Sequence, residues 1–235
     1  MLELEARAEP SRLMAWASPL LAVALMLVGG LAVFAALGKD PVEGFRVFFL
    51  NPVKDLYALS ELLLKATPLM LCAIGLAIGF RANVWNIGAE GQFMLGAVAA
   101  TGVALYFGDA ESALVLPAMV LAGAAGGAAW AAIPALLRTR FNANEILVSL
   151  MLVYVAQLFV SWLVFGPWKD PDGFNFPQTR MFAEAATLPM VIEGTRLHFG
   201  FAIALAALVA GYAFMNRSHA GFRMRVAGEA ADAAR

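Results

Sequence analysis

Six times along this chain an almost uncharged apolar stretch runs for about 20 residues, the length an α-helix needs to cross the hydrocarbon of a bilayer. The stretches cover residues 13–37, 56–80, 88–107, 113–137, 146–165 and 199–215. A water-soluble core is assembled from short periodic patches and has no use for runs of this length. The composition agrees: 62% of residues are hydrophobic and 14% charged, against roughly half and a quarter in soluble domains, and the mean hydropathy is +0.77. Lipid offers no water to satisfy an open backbone, so each span is expected to be a helix. The expected fold class is therefore all-α, a polytopic membrane helix bundle of about six transmembrane helices, with 1–235 forming a single transmembrane domain. The first stretch is too long for the apolar region of a secretory signal, and Glu3, Glu5 and Glu9 stand where a signal carries basic residues.

Charge placement sets an expected orientation. With the N-terminus inside, the inner segments hold Arg7, Arg12, Arg81, Arg138, Arg140, Arg217, Arg223, Arg225 and Arg235, and the outer ones Lys39, Arg46, Lys54, Lys169, Arg180 and Arg196. Nine against six favours both termini in the cytoplasm. The net charge of -1 and the absence of a basic stripe give no reason to expect nucleic acid as a partner. Cys72 has no second cysteine to pair with, and His198 and His219 fall on opposite sides of the membrane in this topology. No phosphate-binding glycine loop ending in Lys-Ser/Thr and no HExxH pattern occurs. No catalytic residues, no metal site and no cofactor bound by this chain are expected; if ATP is used, another subunit binds it.

Two stretches carry small residues suited to close helix packing: Gly123, Gly126 and Gly127 in the fourth, and Gly75 and Gly79 in the second. The costly polar residues lie elsewhere. Between the second and third stretches the chain reads Asn83-Val84-Trp85-Asn86-Ile87-Gly88-Ala89-Glu90-Gly91-Gln92. Asn86 is expected to cap the third helix, with Glu90 and Gln92 in its first turn where a carboxylate meets the positive helix end. The segment reads equally as a short capped loop or as a broken helix lining a translocation path. Asn142, Asn144 and Glu145 open the fifth helix, and capping accounts for them first. Glu61 and Lys65 are spaced to pair along one helix face. The connection over 166–197 is rich in Pro, Gly, Asp and aromatics. The tail beyond Ser218 is expected to end in a short helix whose Val226, Ala230 and Ala233 or Ala234 present an apolar face beside Arg223, Arg225 and Glu229, as a segment docking into a partner's groove does.

The run Asn83-Val84-Trp85-Asn86-Ile87-Gly88-Ala89-Glu90-Gly91-Gln92, then Asn144-Glu145-Ile146, then Arg225-Val226-Ala227-Gly228-Glu229 with Asp232-Ala233-Ala234-Arg235, resembles the bacterial ABC importer permeases of the ribose and nucleoside branch. The resemblance covers essentially the whole chain, and the first motif is more similar to nucleoside than to ribose permeases. It implies an inner-membrane permease subunit that pairs with a second permease, two cytoplasmic ATPase subunits that bind the ATP, and an extracytoplasmic substrate-binding protein. It implies a translocation path near Asn83, Trp85, Asn86, Glu90, Gln92, Asn144 and Glu145. It also implies that Arg223, Arg225, Gly228, Glu229 and Arg235 belong to the segment resting on an ATPase. Family members continue past this tail with further membrane helices, so the chain is expected to be the N-terminal portion of a longer permease. The alternatives are the same type of permease for simple sugars such as ribose, or an ion-coupled secondary transporter with Glu61, Glu90 and Glu145 as its relay.

Overall fold

Apolar stretches that must satisfy their own backbone become helices, and in the computed structural model, which describes residues 11–108 and 110–230, they do. The α-helices are α1 (Arg12–Ala36), α2 (Pro41–Phe45), α3 (Leu56–Arg81), α4 (Ala89–Phe107), α5 (Val115–Phe141), α6 (Glu145–Phe165), α7 (Gly200–Arg217) and α8 (His219–Glu229). Among the described residues the strand-like pairing is a single antiparallel bridge between Met190 and His198. Large apolar side chains such as Leu20, Leu121, Leu158 and Val209 stand exposed along the long helices, as lipid-facing residues do.

Five of these helices are long and apolar enough to cross a membrane: Leu13–Ala36, Leu56–Arg81, Val115–Phe141, Glu145–Phe165 and Gly200–Arg217. The third expected stretch is a helix as well. It forms α4, a helix of 19 residues with Glu90 and Gln92 in its first turn, and is not among these five.

The chain divides into two compact units, Met1–Leu62 and Leu63–Arg235. In the first, the Ser11 hydroxyl caps α1 by accepting from the Met14 amide at 3.5 Å, and Asp40 caps α2 by accepting from the amides of Val42 and Glu43. The rings of Phe34 and Phe45 meet edge to face at 6.0 Å and fasten α2 back onto α1. A π-helical turn (Arg46–Leu50) and a 3-10 turn (Asn51–Val53) lead to α3.

The second unit is organised by the seam between α4 and α5. A Cβ on Gly96 would sit 2.9 Å from the Gly123 carbonyl oxygen, and one on Gly126 would sit 2.6 Å from Ala99 Cβ. The two backbones approach as closely as glycine permits, which is how helices hold together where lipid gives no hydrophobic drive. The expected partner face on the second stretch is corrected: a Cβ on Gly75 would meet nothing within 4 Å, and one on Gly79 would meet only Val84 of its own turn. α7 instead reaches α3 through Gly211, whose added Cβ would come 2.8 Å from Ile74 Cγ2.

Candidate functional site

α3 ends in a hydrogen-bonded reversal. Asn83 adopts the left-handed conformation (φ 55°), its amide bonds back to the Phe80 carbonyl at 3.1 Å, and the Val84 amide bonds to Gly79 at 3.0 Å. This is the two-bond helix stop in which asparagine is the usual alternative to glycine. The Asn83 side chain accepts from the Trp85 indole at 3.3 Å, and the indole lies against Phe80 with ring centroids 5.1 Å apart.

Asn86 does not cap α4, as the sequence suggested; the cap position is Gly88, without a side-chain bond. The reason is that the Asn86 amide is already engaged. Its Nδ2 donates to Gln92 Oε1 at 3.1 Å, and its Oδ1 accepts from Gln92 Nε2 at 3.2 Å and from the Gly88 amide at 2.9 Å. The two side chains close a reciprocal pair across the entrance to α4. The Ile87 amide donates to Ser149 Oγ on α6 at 3.3 Å, across 62 residues of chain. Ser149 is buried and donates in turn to the Ile146 carbonyl at 3.2 Å.

The second turn, between α5 and α6, approaches the same place. Asn142 stops α5 in the left-handed conformation. Asn144 caps α6, accepting from the amides of Ile146 at 3.0 Å and Leu147 at 3.3 Å. Glu145 pairs with Arg138 at 3.4 Å, with 19% of its side chain exposed against 51% for the arginine. Trp85, Asn86, Gln92 and Glu145 thus line one cleft of about 240 Å³, together with Arg138, Thr139, Ser149 and an apolar wall of Val84, Ala131, Pro134 and Ala135. Its lining offers an aromatic ring, two amides, two hydroxyls and an ion pair. Asn83 and Asn144 act on the backbone of the two turns, and Glu90 accepts from Gln157 on α6 at 3.5 Å. Gln92 also lines a larger cavity of about 710 Å³ running along α4 and α5 to Arg196 and His198. Sequence reasoning passed over Ser149, Arg138 and Thr139. Their only local signal was a position within one helical turn or two of the Asn-x-Asn-Glu motif.

The tail segment lies at the same end. α8 begins at His219, earlier than the helix expected at the chain's end, because Ser218 caps it through the Gly221 amide at 2.9 Å. Gly228 rests against the carbonyl of Arg81 and against Ala82, the first residue of the α3–α4 turn. Arg223 and Glu229 are exposed, whereas Arg225 turns inward toward α3 and its Nε is buried with no hydrogen-bond partner. Ala233, Ala234 and Arg235 lie outside the described residues.

Residues 58–235 match the family described as "Branched-chain amino acid transport system / permease component". The chain is 40% identical to the glucose ABC transporter permease protein TsgB13 of Haloferax volcanii, covering all of this chain and 64% of that one. It is 29% identical to the guanosine ABC transporter permease protein NupP of Bacillus subtilis, over 89% of this chain and 60% of the relative. To the nucleoside ABC transporter permease protein NupB of Lactococcus lactis it is 25% identical, over 92% of this chain and 61% of the relative. It therefore spans less than two thirds of the length of these curated relatives. No solved structure matches significantly.

Proposed function

Because this chain belongs to the family of branched-chain amino acid transport system permease components, we propose that it forms part of the translocation pathway of an ATP-driven importer of nucleosides. The observation that carries the reading is the cleft in which Trp85, Asn86, Gln92 and Glu145, drawn from two distant motifs, converge at the end of the bundle that also bears α8. A nucleobase presents a flat face and an edge of adjacent donors and acceptors; an indole ring suits the face, and the second N–H of each amide, left over by the Asn86–Gln92 pair, suits acceptors on the edge. The chain itself binds no cofactor. ATP is hydrolysed by two cytoplasmic subunits against which α8 rests, a second permease subunit completes the pathway, and an extracytoplasmic binding protein delivers the substrate.

In this reading both termini are cytoplasmic in the plasma membrane. The nine-to-six bias of basic residues supports it, and so does the clustering of Arg81, Arg138, Arg223 and Arg225 around one end of the second unit. A second reading, import of a simple sugar, is favoured by the 40% identity to a relative named for glucose. An ion-coupled relay through Glu90 and Glu145 has less support, since each carboxylate is engaged elsewhere, by Gln157 and by Arg138.

Uptake of labelled guanosine, uridine, ribose and glucose by cells producing the intact transporter tests these readings. Nucleoside uptake that stops on ATP depletion and survives an uncoupler at constant ATP is expected. Uptake confined to sugars would transfer the assignment to the second reading, and uptake abolished by the uncoupler at constant ATP would overturn both.

A further inference from the structure

α3 and α7 leave a crevice of about 200 Å³ between them, walled by Ile74, Ala77, Ile78, Leu208 and Met215. Two arginines, Arg81 from the end of α3 and Arg225 from α8, also line it. Among the described residues neither guanidinium has a carboxylate within ion-pair distance, and no acidic residue lines the crevice. The Nε of Arg225 is buried without an acceptor. A buried guanidinium donor is costly to leave unpaired, and an arginine fork suits the oxygens of a phosphate. The position is fixed by the spans themselves: α3 ends at Arg81 and α7 at Arg217, so the crevice opens where the hydrocarbon gives way to the headgroups. Apart from Tyr212 and Asn216, its walls are apolar along the helices and cationic at this one end, which is the pattern of a lipid molecule, with acyl chains beside the helices and an anionic head at the boundary.

We propose that this crevice holds one anionic phospholipid, its phosphate between Arg81 and Arg225 and its acyl chain along Ile74, Ile78 and Leu208. Charge complementarity selects that occupant: a zwitterionic lipid brings its own cation to a site that already has two. The bound head then lies beside the contact of Gly228 with Arg81, so the lipid props α8 against α3. The inference needs the chain in a membrane and nothing of the transport reading.

The test uses the purified, delipidated protein in mild detergent, titrated with phosphatidylglycerol, with phosphatidylcholine of the same acyl chains, and with inorganic phosphate, while thermal unfolding is followed. Phosphatidylglycerol is expected to raise the midpoint saturably by several degrees, the other two not. Arg81→Gln and Arg225→Gln should each weaken the apparent affinity about fivefold, equivalent to about 1 kcal/mol for a basic residue at an anionic surface. Arg217→Gln, which removes a nearby charge outside the crevice, should leave it unchanged. Should the Arg225 variant fail to fold, Ile78→Trp fills the crevice without altering charge and is expected to abolish the shift. Equal shifts from both lipids, an equal shift from phosphate alone, or an Arg217→Gln loss matching that of Arg225→Gln would each overturn the proposal.

Discussion

The side-chain amides of Asn86 and Gln92 hydrogen-bond to one another in both directions, at 3.1 and 3.2 Å. A reciprocal pair shares its energy between both members, so losing either side chain forfeits both bonds; without Asn86 the Gln92 amide loses both of these partners, and without Gln92 the Asn86 amide keeps only the bond from Gly88. Asn86→Leu and Gln92→Leu should therefore each lower stability by about 1 kcal/mol, and the double variant by clearly less than the sum. Thermal unfolding of the four proteins in detergent measures the coupling. Strict additivity would show that the pair contributes nothing as a pair.

Gly228 has no room for a side chain, because the Arg81 carbonyl and Ala82 occupy the space a Cβ would need. Gly228→Val should lift α8 from the α3–α4 turn. In the assembled transporter the expected outcome is loss of most substrate uptake with ATP hydrolysis retained, read by parallel uptake and phosphate-release assays. Unchanged uptake would mean that the contact transmits nothing.

The α4–α5 seam and the open flank of α3 predict opposite responses to the same substitution. Gly126→Ala forces a Cβ to within 2.6 Å of Ala99 Cβ, and overpacking of this kind costs about 1–3 kcal/mol. Gly75→Ala meets nothing within 4 Å and exchanges the weaker helix former for the stronger, which is neutral or stabilising by up to about 1 kcal/mol. Unfolding midpoints of the two variants should move apart; a shared direction would contradict the packing.

Asn144 acts on the backbone. Its side-chain Oδ1 accepts from two amides at the start of α6, a role aspartate and serine also fill. Asn144→Ala should cost about 1 kcal/mol, with Asn144→Asp close to the parent protein. A substantial loss of uptake in Asn144→Asp at unchanged stability would instead place this amide in contact with substrate.

The helices were legible because apolarity over about 20 residues is a local property, and α1, α3, α5, α6 and α7 follow it to within a few residues. α4 was harder, since Glu90 and Gln92 give its first turn two meanings at once, capping chemistry and a polar lining. The same ambiguity misled the reading of Asn86: a cap is written in neighbouring residues, whereas the bond to Gln92 depends on how the turn folds. The convergence of Trp85 with Glu145 was legible as two motifs but not as one cleft, because the link that joins them, Ile87 to Ser149, spans 62 residues. Small-residue spacing identified the glycines of α5 and overstated Gly75, since spacing shows which faces permit close approach but not which face receives a neighbour.

The polar first turn of α4 gives the seam with α5 a further weight. A helix that enters lipid unaided must repay the transfer of its own polar groups, and Glu90 and Gln92 burden α4 at its leading turn. The backbone contact of Gly96 with Gly123 couples it to α5, whose first turn carries no acidic residue. The glycine seam thus ties the helix that opens on polar side chains to a neighbour that opens on apolar ones, so that the two stand or fall as one packed pair.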